Sequence, residues 1–306
     1  MEGFSKFKLN FVKIKFVKFD RLLLHLQKIA RERNFQTCPD SLIEVQSYLK
    51  EEFLRMGFKV KEEPFFYLGK PFSNLIASLD EDPGKPRFII GAHFDAVPDS
   101  PGADDNASGV VSLLETARIF SESERERPFS SRTCSVEFAA FNLEEYKMIG
   151  SGAYVQKLKR EKVKIAGMLS LEMVGFTSHE KGSQQIPVFL KPFYPDVGNF
   201  IALVANSKSQ TLLQRVKKIF KEVEGLATES LVLPANGWVF PDARLSDHSP
   251  FWDAGYPALL VTDTSLFRNP YYHTEKDRIE TLDLDFLDKV TEAVSKIACG
   301  FARNSL

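Results

Sequence analysis

Two adjacent carboxylates, Glu144 and Glu145, follow the largely apolar run Val136-Glu137-Phe138-Ala139-Ala140-Phe141 and precede Gly150-Ser151-Gly152. A strand that ends in two acids places one carboxylate on each side of the crevice at its end, so one turn offers both a metal ligand and a general base. Other donors occupy comparable places. His93-Phe94-Asp95 follows the apolar run 88–92, and Asp104-Asp105-Asn106-Ala107-Ser108-Gly109 opens a helical stretch. Glu172 closes Met168-Leu169-Ser170-Leu171, and Tyr272-His273-Thr274 lies toward the C-terminal end. This set of oxygen and imidazole donors suffices for two zinc ions. In His93-x-Asp95 the side chains i and i+2 point the same way on extended backbone, so Asp95 is placed to hold the second imidazole nitrogen and fix its tautomer.

The elements that must position these groups are legible as alternating patterns. Strands are expected over 59–66, 74–79, 87–92, 134–141, 166–172, 200–205 and 258–263, and helices over 22–33, 41–56, 107–120, 151–159, 209–224 and 285–303, with a charged loop over 121–132. Short strands apolar on both faces and separated by helices predict an α/β three-layer sandwich with a mostly parallel central sheet; the two early strands add an antiparallel edge. Strands 87–92, 134–141 and 166–172 each carry a donor at the C-terminal end, where open α/β sheets form their ligand crevice.

A chain of 306 residues, 43% hydrophobic and 26% charged, can bury a large core, and one domain over 1–306 is expected. Forty basic against forty-one acidic residues leave no footprint for a phosphate backbone, which excludes nucleic acid as the expected partner. Cys38, Cys134 and Cys299 are far apart with no CxxC pair, so free thiols are expected rather than disulfides or a thiolate metal site. Residues 1–20 interleave apolar residues with Lys6, Lys8, Lys13, Lys15 and Lys18. They read as an extension or edge strand whose lysines stay in water, with a cationic membrane-surface strip as the sharper alternative. Neither a signal peptide nor a transmembrane segment is visible, and with the free cysteines this favours the cytoplasm.

Six segments in order, His93-x-Asp95, Gly102-Ala103-Asp104-Asp105-Asn106-Ala107-Ser108-Gly109, Glu144-Glu145 with Gly150-Ser151, Glu172-Met173-Val174-Gly175, Ser246-Asp247-His248 and Tyr272-His273-Thr274, resemble the co-catalytic zinc exopeptidases. That family includes bacterial leucyl aminopeptidases, glutamate carboxypeptidase II and glutaminyl cyclase, and the resemblance covers roughly residues 74 to 285. It implies two zinc ions per chain. Asp105 would bridge them, with His93 and Glu172 completing one and Glu145 and His273 the other. Glu144 would be the general base, Asp95 the support of His93, and Tyr272 an aid to the oxyanion. Many aminopeptidases of the family have Asp where this chain has Glu172, which bears on how the substrate's amino terminus is held. The resemblance also implies a cis peptide between Asp105 and Asn106.

The expected function is hydrolysis of an N-terminal residue from a peptide substrate by metal-activated water. A glutaminyl-cyclase-like acyltransferase and a non-catalytic binding domain on the same scaffold are the alternatives. A carboxypeptidase would need a basic clamp, for which Arg244 and Arg268 are the candidates. Ser246-Asp247-His248 cannot form a serine triad from adjacent residues, and no GxSxG elbow accompanies it. His25 and His179 read as structural. The segments Gln185 to Pro195 and Pro234 to Pro250 are long connections of the kind that rim a site, and their aromatics are either core anchors or the lining of an apolar pocket.

Overall fold

A computed structural model describes residues 19–80, 82, 84–126, 133–188 and 190–303. The expected extension over residues 1–20 lies outside this range except for Phe19 and Asp20, which open a helix; the far end of the expected 121–132 loop also falls outside. Eight strands form one sheet: β1 (Lys59–Tyr67), β2 (Lys70–Ser78), β3 (Arg87–His93), β4 (Ser135–Phe141), β5 (Ile165–Glu172), β6 (Phe200–Asn206), β7 (Ala227–Leu233) and β8 (Ala258–Thr262). Their order across the sheet is β1-β2-β4-β3-β5-β8-β6-β7. The helices are α1 (Phe19–Ile29), α2 (Pro39–Arg55), α3 (Gly109–Glu126), α4 (Ile149–Arg160), α5 (Gln210–Phe220), α6 (His248–Asp253) and α7 (Leu284–Arg303).

The centre of the sheet is parallel through β4, β3, β5 and β8, and its chain ends on one side carry Phe141, His93, Glu172 and Thr262. The β1–β2 hairpin adds the expected antiparallel edge. A second reversal was not expected: β6 runs antiparallel to β8, and β7 then follows β6 in parallel. The central strands read as continuous apolar runs because both faces are covered. Phe88, Ile90, Phe138, Ala140, Leu169 and Leu171 pack toward α1, α2, α3, α5 and α7, while Ile89, Ala139, Phe141 and Met168 pack toward α4 and α6. Gly91 in β3 admits the ring of Phe141: a Cβ there would lie 2.5 Å from it.

Three elements depart from expectation. Strand β7 was not anticipated because Ala227-Thr228-Glu229-Ser230-Leu231-Val232-Leu233 is a half-buried edge strand, too polar for an apolar run. Helix α6 is only six residues long and carries Pro250 in its first turn, where a missing N–H is tolerated but no helical period can register. Helix α3 also runs on to Glu126, into what read as loop. Cys38, Cys134 and Cys299 are free thiols, the latter two buried.

Candidate metal centre

His93 is the last residue of β3, and its Nε2 faces Asp105 Oδ1 at 3.3 Å and Glu172 Oε1 at 3.3 Å. His273 Nε2 lies 3.1 Å from the other oxygen of Asp105 and 3.3 Å from Glu145 Oε2. Each imidazole thus meets a different oxygen of Asp105, and the structure brings together two sets, His93-Asp105-Glu172 and Asp105-Glu145-His273. Within each set one donor atom per residue lies within 4.8 Å of the others. Glu144 points into the same crevice, 3.9 Å from His93 Nε2, yet belongs to neither set.

The main chain explains why these acids sit so close. Asp104 and Asp105 follow Gly102, whose φ of 57° is left-handed and whose Cβ, if present, would lie 2.2 Å from the Asp105 carbonyl. The two side chains then diverge. Asp104 accepts from Gly175 N and Asn269 Nδ2 at 3.0 and 2.7 Å, away from the crevice, while Asp105 turns into it. The Asp105-Asn106 peptide is cis. Asn106 uses its amide as a bracket, donating to Leu171 O and accepting from Gly109 N and Met173 N. Asp277 accepts both the Asp104 and Asp105 N–H groups, at 2.8 and 3.0 Å. The turn carrying the two glutamates is pinned likewise, by Asn74 bonding Asn142 N and Gly150 O.

Asp95 does more than the i, i+2 reading implied. Its carboxylate accepts the backbone N–H of Glu144 at 3.0 Å and of Glu145 at 3.3 Å, and stands 3.5 Å from His93 Nδ1. The nearer acceptor for that nitrogen is the Asp95 main-chain carbonyl, at 3.2 Å. Asp95 therefore ties the end of β3 to the glutamate turn. Tyr272 stacks its ring on His273 at 3.7 Å and faces the same crevice. Ser246 donates to Glu172 Oε2 at 2.8 Å, and His248 bonds the Ala243 carbonyl and packs on Trp252, so this segment braces the site and forms no triad.

Crowding of carboxylates sets the electrostatics. Burial, then the Asp105 charge, lifts Glu145 to about 7, and burial holds Glu144 well above the usual carboxylate range. Burial works against a charged His273, but its bonds to Asp105 and Glu145 outweigh that and raise it to about 10. Asp105 is the converse: burial opposes its charge, and the bonds from His273 and His93 more than offset it and hold its carboxyl well below normal. Glu145 Oε1 is buried without a hydrogen-bond partner. One imidazole and two carboxylates per set, a shared Asp105 and an unbonded buried oxygen are a donor set that fits zinc, which takes three protein ligands and leaves a position open.

Sequence reasoning passed over two contributors, Asp277 and Arg33. Asp277 lies four residues past His273 in a run of surface-like charges. Arg33, also hidden among charges in Arg31-Glu32-Arg33, is fully buried and donates to the carbonyls of Phe94, Pro101 and Gly102 at 2.7, 2.6 and 2.9 Å. It is the cation behind the acids: burial lowers its pKa, and the charges of Asp105, Asp277 and Asp95 oppose that. The clamp arginines are occupied elsewhere. Arg244 bonds Asn236 O and Asp253 and covers the Trp238 ring, while Arg268 bonds Gln184 and covers Phe200. Both are buried, and neither lines the crevice.

Comparison with known proteins places this architecture. The model of Peptidase family M28 matches residues 74–298. The uncharacterized protein YfbL of Escherichia coli K12 is 32% identical over 269 residues, 83% of this chain and 79% of that protein. A probable leucine aminopeptidase of Arthroderma otae is 30% identical over 256 residues, covering 80% of this chain and 60% of its own. Among solved structures, the LapA aminopeptidase of Legionella pneumophila superposes with a TM-score of 0.74 at 19% identity over 94% of this chain and 72% of its own, a likeness of fold. A zinc aminopeptidase of Bacillus subtilis gives 0.55 at 26% identity, over 76% of this chain and 51% of its own. This chain thus spans about half to three-fifths of the length of the latter and of the Arthroderma protein. The fold and these matches define a class, the α/β metallo-exopeptidases. Within it, the chain belongs to peptidase family M28.

Proposed function

We propose that the protein is an aminopeptidase that binds two zinc ions, one between His93, Asp105 and Glu172 and the other between Asp105, Glu145 and His273. The observation that carries this reading is Asp105, whose two oxygens face different imidazoles. Paired zinc ions in these sets would lower the pKa of a bound water toward neutrality and polarise the scissile carbonyl. Glu144 is the base: its carboxylate faces the crevice, is buried, and is left free of either donor set, so it takes the proton of the attacking water and delivers it to the leaving amine. Asp95 orients that base by holding its backbone N–H, and Tyr272 flanks the carbonyl from the His273 side.

Among the described residues no lysine or arginine lines the crevice, which favours an amino over a carboxylate terminus as the group held there. The test is a zinc-loaded assay on aminoacyl, N-blocked and N-terminal-glutamine peptides, with metal content measured on the same sample. Cleavage of free-amino peptides only, with about two zinc per chain as the donor sets require, is expected. Turnover restricted to N-terminal glutamine would make the protein a cyclase, and zinc binding without turnover would make it a binding domain. No helix among the described residues is long and apolar enough to cross a membrane; a cytoplasmic location remains part of this reading rather than of the fold.

A further inference from the structure

The crevice opens sideways into a cavity whose floor is the sheet itself. Strand register lays Glu172, Thr262, Ala202 and Glu229 in one row across β5, β8, β6 and β7, and Leu260, Val204 and Leu231 in the row beside it. All seven line one cavity, together with residues of the 184–190, 240–245 and 264–267 connections. In the first row the two middle residues are small, which leaves a trough running from the metal ligand Glu172 to the Glu229 carboxylate. Three strand-to-strand steps of about 4.8 Å make it about 14 Å long. The flanking row is aliphatic, and Phe200 and Phe240 add aromatic walls.

Charge in this cavity is one-sided. Among the described residues no lysine, arginine or histidine lines it, and beyond the metal-centre acids the charged groups that do are Glu229 and Asp242. Glu229 has no ion pair among the described residues. The neighbouring Ser230 side chain points to the opposite face by strand alternation, and there its hydroxyl takes Lys217 at 2.6 Å. Arg268 does not line the cavity: it lies over the Phe200 ring, donates its Nε to Gln184 and its Nη1 to the Phe176 carbonyl.

We propose that this cavity receives the side chain of the substrate's N-terminal residue, and that Glu229 makes lysine or arginine the preferred residue there; this rests on the aminopeptidase reading above. With the α-amino group beside the metal centre, a lysine stem of about 6 Å, a hydrogen bond of about 3 Å and the Glu229 arm of about 4 Å reaching back together come close to the trough's length. The aliphatic row covers the methylene stem, and the cation meets an acid with no ion pair among the described residues. A leucine side chain fits the apolar part and stops short of Glu229.

Lysine and norleucine share a four-carbon stem and differ in the ammonium group, so they isolate the role of Glu229. Zinc-loaded enzyme is expected to cleave lysyl and arginyl p-nitroanilides with kcat/KM about tenfold or more above norleucyl, as a charge-assisted bond predicts. In Glu229→Gln that ratio falls toward one, through KM. Calorimetry of free lysine and norleucine binding to the same zinc-loaded protein reads the cavity without turnover. Failure of all three amides to be cleaved while lysine still binds more tightly than norleucine would overturn the aminopeptidase reading and leave the cavity's preference standing. Equal binding of the two amino acids, or a lysine-to-norleucine ratio that Glu229→Gln does not move, would overturn the role of Glu229.

Discussion

At the Asp104-Asp105 pair the main chain parts two acids of the same chemistry. Asp104 is consumed by Gly175, Asn269 and a buried contact with Asp263, while Asp105 is left with both oxygens toward imidazoles. The Glu144-Glu145 pair is parted likewise, one acid against His273 and one free in the crevice. Glu144→Gln is therefore expected to lower kcat by about 10²–10⁴-fold with zinc content unchanged, since it removes a proton acceptor and no ligand. Glu145→Gln should instead lose metal, and the reverse pattern, read by metal analysis and single-turnover kinetics, would exchange the two roles. Asp277 touches no donor atom but holds the N–H groups of Asp104 and Asp105. Asp277→Asn replaces one carboxylate oxygen by an NH2 group that cannot accept, and zinc affinity should drop about 10- to 100-fold, as found for groups that orient ligands. Competition with a chelator of known affinity measures this directly, and unchanged affinity would reduce Asp277 to a fold residue.

Among the elements, those that deliver the donors were the most readable. β3, β4 and β5 are short apolar runs closed by His93, by the turn to Glu144 and by Glu172, so pattern and chemistry pointed to the same ends. Beyond them the chain gave weaker signals for physical reasons. β7 lies at an edge with one half-wet face, and the reversal of β6 against β8 is a matter of pairing partner, which no local period encodes. Arg33 and Asp277 sit in charged stretches indistinguishable from surface, because what makes them functional is burial against distant segments. The resemblance supplied the proposed bridging acid and the cis bond; periodicity alone would not have separated Asp105 from Asp104. Helix α6 carries one further consequence. His248 at its start is buried, and burial lowers its pKa to about 3, while its Nδ1 has no partner. The unfolded chain takes up a proton there below about 6.5 and the folded chain does not. Stability from this group is thus fully present above that value and lost as pH falls toward 3, by up to about 1.4 kcal/mol per pH unit. Urea unfolding of metal-free protein between pH 4 and 7 should show a shallower pH slope in His248→Gln than in wild type; equal slopes would mean that the imidazole is already protonated in the fold.

For the whole molecule, the sheet and its two helical layers act as one frame, which we read as a single folding unit. The frame holds a concentration of negative charge at one end with a buried guanidinium behind it. Arg33 belongs to the segment after α1, well before residue 74, where the family match begins. Yet its donors grip Phe94 O beyond β3 and Pro101 O and Gly102 O at the entry to the Asp104-Asp105 turn. Leu22, Leu26, Ile29, Val45, Leu49 and Phe53 of α1 and α2 are also buried in the larger core. The limits of the family model are therefore not the limits of what this protein needs. A fragment cut to residues 74–298 would keep every donor to the metals and lose the clasp that gathers them. Such a fragment is expected to aggregate or to bind zinc far more weakly than the full chain, and adding back residues 19–73 as a separate peptide should restore part of that affinity. Anyone who designs expression boundaries, grafts this centre onto another scaffold or ranks substitutions by distance from the proposed metal donors would do well to count the first helices as part of the candidate site.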